Sequence, residues 1–393
     1  MEFETSLEAF QALLDFARRL ARCVGMDILA EPYRANVLTV LTLVGCLSYI
    51  VIGFYSAWFF YPDIYVALQA LAPIGMAVQG AAKLYSGIIY KDFFIGRMHL
   101  LQDFHRKHAK NARNNAVLLS FMKKMHLVCR LLIAAYFISI AGFSLYPLYF
   151  YLMFGERTMA LTLKLPGVGV ESAWGYSVSL TYQMYLLAIA ITGISAADTA
   201  ILIFVSNLAG LVDVYKNDLV ELDELLESTE RDEKEISSKL KQIIVDHLAI
   251  IDYESELGDR YEMINFVQVA SSVSCLTFSL FLCYMTNYIP GYGFMLAGLF
   301  QLLLFCLLGT IFTVKNEELT LAIYNTKWYL LNNSQRKMLC VMFHGSQNPV
   351  ELTIGGLALL NIETFVEIAT PSRLYVNGTI GKYELLKRAG VFT

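Results

Sequence analysis

Charge is scarce in this sequence. Asp, Glu, Lys and Arg make up 16% of the 393 residues, 56% are hydrophobic, and the mean hydropathy is +0.52. A water-soluble domain carries nearer a quarter charged residues, so that class is excluded. The formal net charge is −4, so no strong global field draws the chain to nucleic acid or to anionic membrane surfaces. Cys23, Cys46, Cys129, Cys275, Cys283, Cys306 and Cys340 form no CxxC pair, so neither a zinc site nor a disulfide framework is suggested. A phosphate-cradling Gly-Lys-Ser/Thr run, a nucleophile elbow and a zinc-protease motif are all missing. No catalytic residue, metal ligand or cofactor is therefore assigned, and an enzyme is not expected. The first 34 residues place acids and arginines ahead of the first apolar block, unlike a cleavable leader. The first span is expected to act as its own insertion signal.

What is present is a series of long apolar blocks. They cover residues 35–60, 64–90, 126–154, 176–212, 263–288 and 292–314, with a weaker block from Leu352 that holds Glu363 and Glu367. A bilayer core about 30 Å thick needs roughly 20 helical residues to cross it. The expected fold is all-α, with seven transmembrane helices. Turns are expected at Tyr61-Pro62-Asp63 and Ile289-Pro290-Gly291.

Lys and Arg in short flanking loops set orientation. Arg18, Arg19, Arg22 and Arg34 precede the first block; Lys91, Arg97, Arg106, Lys107, Lys110, Arg113, Lys123, Lys124 and Arg130 follow the second. Lys315, Lys327, Arg336 and Lys337 follow the sixth, whereas the first and third intervening loops on the other side have no basic residue. The N-terminus is therefore expected in the cytoplasm. Seven spans put the C-terminus outside, against which Arg373, Lys382, Lys387 and Arg388 weigh. Between blocks four and five, residues 218–235 are acidic with Leu219, Leu222, Leu225 and Leu226 at helical spacing, and the pattern continues through Ile243, Ile250 and Leu257. This reads as a cytosolic extension of the fourth span, burying its stripe against other helices. His99, His105 and His108 lie in a basic stretch and read as a solvated face rather than a metal site.

The last third carries specific motifs: Ile243-Ile244-x-x-His247-x-x-Ile250-Ile251, then Leu257, Tyr261, Phe266 and Gln268; Tyr324-x-x-x-Trp328-Tyr329, Arg336-Lys337 and Ser346-Gln347-x-Pro349; and Leu352-Thr353-x-Gly355-Gly356 followed by Leu360-Asn361-x-x-Thr364-Phe365. In this order and spacing they resemble the insect odorant receptor family, and the chain looks like one of its odorant-tuning subunits. The resemblance implies a tetrameric, ligand-gated, non-selective cation channel. It implies assembly with the olfactory co-receptor, a volatile odorant bound within the bilayer, and a plasma-membrane location in olfactory sensory neuron dendrites.

On that resemblance the chain divides into a cytoplasmic segment (1–34), spans one to four with the ligand-binding part (35–212), a cytosolic helical extension (213–262), spans five and six (263–314), cytosolic anchor helices (315–358), and a pore-lining last span with outer tail (359–393). The subunit anchor would include His247, Tyr324, Trp328, Leu360 and Phe365, and the pore wall Val366, Ile368 and Thr370. A volatile ligand needs an enclosed apolar site with a few polar groups. Candidates are Ala72, Pro73 and Met76 in the second span and Ser139, Gly142 and Tyr146 on one face of the third, a spacing similar to a pocket face of the family. Tyr182, Met184 and Tyr185 in the fourth, with Phe281 and Tyr284 in the fifth, complete the set. Pro371 and Arg373 depart from the family's last helix, and Asn377-Gly378-Thr379 is a glycosylation sequon where the family has its gate. Gate residues are therefore not carried over. The alternatives are a gustatory receptor, whose terminal motif is missing; a G-protein-coupled receptor, whose orientation is opposite and whose Asp-Arg-Tyr and Asn-Pro-x-x-Tyr marks are missing; and a transporter, which would show paired repeats.

Overall fold

A computed structural model describes residues 3–286 and 288–370. Among these the regular structure is helical: α1 (Ser6–Cys23), α2 (Val37–Phe60), α3 (Ile64–Leu71), α4 (Ile74–Ile89), α5 (Lys91–His108), α6 (Ala112–Phe154), α7 (Ala173–Glu227), α8 (Glu233–Thr286), α9 (Ile289–Asn325) and α10 (Asn333–Ser346). Residues 362–370 are also helical, and Thr353 and Leu359 form an isolated bridge. Among the described residues, six stretches are long and apolar enough to cross a membrane: Val37–Phe60, Ile64–Ile89, Ala112–Phe154, Ala173–Glu227, Glu233–Thr286 and Ile289–Leu330. A further helix begins at residue 362 and runs to 370, the last of the described residues.

Local chemistry sets the boundaries. Thr5 caps α1 by accepting from the Glu8 amide at 3.2 Å, and Asn36 with Thr39 forms a capping box on α2. Gly155, at φ 69°, ends α6 in the left-handed conformation that glycine tolerates without a side-chain clash. Three expected boundaries are corrected. Pro73 divides the second block into α3 and α4, because a proline inside a helix removes one backbone donor and crowds the preceding turn. Pro290 does not make a turn. It sits in the first turn of α9, where the amide it lacks has no helical partner to lose. The block expected from Leu352 is a loop to Leu360, with Gly355 and Gly356 both at positive φ, and helix starts only at 362. Pro371, Arg373 and Asn377 lie outside the described residues.

α7 and α8 are continuous helices of 55 and 54 residues. They run from the membrane-spanning part into a bundle with α9 and α10, here called the extension end. The expected amphipathic helix over 218–235 is present as far as Glu227; residues 228–232 then break it before α8. Its leucine stripe is buried at Leu219, Leu222 and Leu226. The Lys239 ammonium clamps α8 to α7 through Asp218 (2.8 Å) and Glu221 (2.5 Å), and Lys315 clamps α9 to α7 through Asp213 (2.8 Å). α1 lies beside α5, α6 and α7, burying Phe10, Leu13 and Leu14. The reading of the histidines as solvated is corrected by the same packing. His105 is fully buried against the Phe10 ring, with its Nε2 donating to the Asn207 oxygen at 3.1 Å. Burial pushes its pKa down to about 4. His108 is buried too and accepts from Asn114 at 3.2 Å, while His99 faces Glu31 at the surface. Among the described residues no three metal-binding side chains cluster.

Candidate ligand cavity

At the end opposite the extension, the 155–172 loop folds back between helices. Gln183 on α7 holds Leu161 by both backbone groups, accepting from its amide (2.9 Å) and donating to its carbonyl (3.0 Å). Ser56 accepts from the Lys164 amide at 2.8 Å. These bonds satisfy polar groups that burial would otherwise leave unpaired, and they pin Ala160, Leu161 and Leu163 in a small apolar core with Tyr49, Ile74, Phe143, Leu186, Leu187 and Phe294.

Inward from this plug lies a cavity of about 260 Å³. Its walls come from α2 (Thr42, Tyr49), Pro73 and α4 (Met76, Gly80), α6 (Ser139, Ile140, Phe143), α7 (Leu187, Gly193) and α9 (Phe294, Ala297), with Leu161 at the loop end. At the extension end it meets Lys83, Tyr136 and Tyr261, with Ala17 and Arg18 of α1 beyond. A Cβ built on Gly80 or Gly193 would touch nothing within 4 Å, so both glycines border open space.

The polar side of this cavity is a buried network. The Lys83 ammonium is paired with the Asp198 carboxylate, and both side chains are almost wholly excluded from solvent. Asp198 also accepts from the Tyr136 hydroxyl (2.5 Å) and the Gln301 amide (3.2 Å). Gln79 donates to Gln268 (2.5 Å) and Gln301 (3.2 Å) and accepts from Ser271 (3.2 Å). One connected set of bonds thus joins α4, α6, α7, α8 and α9. Charges away from water are tolerated when paired and hydrogen-bonded, and such residues in a membrane span are functional candidates.

Of the residues named from sequence, Pro73, Met76 and Ser139 line the cavity. Ala72 is buried beside it in the chain but does not line it. Gly142 lies on the exposed side of α6, and Tyr146 is half-buried against Phe150, ring centroids 4.9 Å apart. Tyr182 donates to Ser48 and Tyr185 to the Leu41 carbonyl, each at 2.8 Å, so both tyrosines tie α7 to α2. Met184 packs on the loop-end core, Phe281 stacks on Tyr65, and Tyr284 is exposed. In the extension, His247 is buried near the Tyr215 ring and Leu360 is buried, while Phe365 packs partly on the main core. Tyr324 and Trp328 present exposed rings. Along the last helix Val366 and Thr370 are exposed and Ile368 packs partly on the core. The sequence reading passed over Lys83 and Asp198. Each is the single charged residue in its apolar block, 64–90 and 176–212, and that isolation was the available signal.

A family model described as 7tm Odorant receptor matches residues 63–371. Putative odorant receptor 83c of Drosophila melanogaster is 19% identical over 378 residues, covering 93% of this chain and 95% of that protein. Odorant receptor 10a of the same fly is 30% identical over 129 residues, 30% of each chain. Among solved structures, the insect olfactory receptor OR5 from Machilis hrabei, in complex with eugenol, has a TM-score of 0.76 at 15% identity over 95% of this chain and 99% of that one.

Proposed function

Because the chain belongs to the 7tm odorant receptor family, we propose that it is the odorant-tuning subunit of a ligand-gated, non-selective cation channel, a heterotetramer with the olfactory co-receptor. Membership makes it a multi-pass membrane receptor rather than an enzyme and sets aside the gustatory and G-protein-coupled alternatives. The observation that carries the ligand-binding part is the apolar cavity among the helices with its few polar groups, which suits a small volatile molecule. Pro73, Met76 and Ser139 are its proposed contacts among the residues named from sequence.

The distribution of Lys and Arg supports a cytosolic N-terminus, with the extension bundle in the cytosol. Exposed Tyr324 and Trp328 on that bundle, with aromatic rings that favour interfaces, support a subunit-anchoring role. The exposed Val366 and Thr370 are the proposed inner pore wall. The location is the plasma membrane of olfactory sensory neuron dendrites.

The test is expression in oocytes with and without an insect co-receptor subunit, recording current against a panel of volatiles. Ligand-evoked cation current that requires both subunits is expected. Absence of current with the co-receptor at normal surface abundance sinks the channel reading.

A further inference from the structure

Beside α1 the cavity ends in a second charged cluster. Residues 18–27 carry three arginines and one acid: Arg18, Arg19, Arg22 and Asp27. Asp27 is 8% exposed and lines the cavity together with Arg18. Its carboxylate accepts from the Nε of Arg18 (3.1 Å) and the Nε of Arg22 (3.0 Å). Among the described residues neither guanidinium makes any other hydrogen bond. The terminal amino groups of both forks are therefore available, and two cations share one anion. The Arg22 side chain is 57% exposed, so its fork faces outward.

Neighbouring bonds set the depth of this cluster. The Val24 carbonyl accepts from the Thr42 hydroxyl at 2.9 Å, and the Gly25 carbonyl from the Thr39 hydroxyl at 2.6 Å. The turn that holds Asp27 thus lies against the first turns of α2, where the first span enters the bilayer. That is the level of the lipid headgroups. Next to it the cavity wall is only partly covered: Ala21, Ile28, Leu84 and Gly87 line the cavity and are all half-buried. An apolar mouth at the bilayer edge, with two oriented guanidinium groups beside it, matches an amphiphile.

We propose that this mouth binds an anionic phospholipid, with its phosphate held by Arg18 and Arg22 and one acyl chain laid along Ala21, Ile28, Leu84 and Gly87. Guanidinium forks fit phosphate oxygens in pairs. The charge left unbalanced at Asp27, with exposed Arg19 adjacent in the chain, favours a lipid of net negative charge over a zwitterion. Asp27 orients the two arginines and is a positioning residue. The proposed cytosolic N-terminus puts the site in the leaflet where anionic lipids concentrate; the site itself depends neither on that orientation nor on the channel reading.

The test uses the purified full-length receptor in non-ionic detergent micelles, with dioctanoyl phosphatidylglycerol, dioctanoyl phosphatidylcholine and inorganic phosphate as probes. Affinities come from ligand-dependent shifts of the thermal unfolding midpoint. Phosphatidylglycerol is expected to bind about tenfold more tightly than phosphatidylcholine, the size of one well-placed charged contact. Inorganic phosphate, which has no chain to bury, is expected to give no shift at the concentration where phosphatidylglycerol saturates. Arg22→Gln removes an exposed side chain and leaves Arg18 to hold Asp27; it is expected to lower the preference several-fold. Arg18→Gln/Arg22→Gln/Asp27→Asn removes the cluster without stranding a charge and is expected to bring the ratio near one. Equal binding of the two lipids by the parent, or a preference that stays at the parent value in either variant, overturns the site. A phosphate shift as large as that of phosphatidylglycerol marks a free-anion site and overturns the lipid assignment. An N-terminal tag accessible on intact cells refutes the orientation alone and leaves a positive micelle result standing.

Discussion

Asp198→Asn isolates the energetic weight of the buried ion pair. Asparagine keeps an oxygen that accepts from Tyr136 and Gln301, so those bonds persist in kind. What disappears is the charge opposite Lys83, whose side chain is 3% exposed. Breaking a buried pair from one side costs about 3–5 kcal/mol, and a lone lysine at the centre of a membrane helix costs roughly 2.5–3.5 kcal/mol on insertion scales. Both routes point to about 3 kcal/mol, a large share of the margin by which folded proteins persist. Removing both charges in Lys83→Met/Asp198→Asn avoids that loss, since replacing a buried pair with neutral groups is close to neutral. The assay is thermal unfolding of purified receptor in micelles, with surface biotinylation in cells as its counterpart. The single variant should unfold well below the parent and reach the surface poorly, while the double variant recovers most of both. A single variant as stable as the parent, or a double variant no better than the single, would refute the pairing.

Gly80→Leu projects a side chain into open space; surface abundance should hold while the odorant concentration for half-maximal current rises about tenfold or more, the discrimination a pocket gains from a few methylenes. Gly309→Ala should act in the opposite manner: its Cβ would land on the Leu360 carbonyl oxygen, where α9 also supports the start of the last helix through Thr310 accepting from the Ile362 amide at 3.0 Å. Such overpacking costs roughly 1–3 kcal/mol, read as a lower unfolding midpoint and loss of current. His105 gives a pH dependence. Its folded pKa of about 4 lies below the ordinary value near 6.5, so the folded state binds fewer protons between them. Its contribution is full above about 6.5 and is lost as pH falls toward 4, roughly 3 kcal/mol in total. His108, also held down by burial, acts in the same direction. Unfolding scans from pH 7.5 to 5 should show a smaller decline for His105→Gln than for the parent; an equal decline counts against the buried neutral imidazole.

The number and order of the spans were legible because a bilayer converts one requirement, about 20 apolar residues per crossing, into visible blocks. The interior face of each span was not. In a soluble helix, polar residues mark the outer side. In lipid both sides are apolar, so little polarity contrast is left to mark the inner face. α6 shows the consequence: the face that reaches the cavity carries Tyr136, Ser139, Ile140 and Phe143, whereas the spacing chosen from sequence ran through Ser139, Gly142 and Tyr146, partly off that face. Tyrosines misled for a related reason. Tyr182 and Tyr185 sit at pocket-like spacing, yet their hydroxyls fasten α7 to α2. The charged pair, which the sequence reading passed over, would have been the better guide: two residues so costly in lipid must meet something, and here they meet each other.

That meeting also relates the cavity to the extension. Asp198 lies on α7, which continues to Glu227 without a break, a distance of about 43 Å at the helical rise. Gln268 and Gln301, bound into the same network through Gln79, lie on α8 and α9, which also run into the extension bundle. Three of the five helices held by the network are therefore the helices that build the bundle. Any change in the Lys83–Asp198 pairing falls on the node where these helices are joined. On the proposed reading, an apolar ligand needs no long-range charge to be felt at the extension; it needs only to alter one hydrogen-bonded junction between rigid rods.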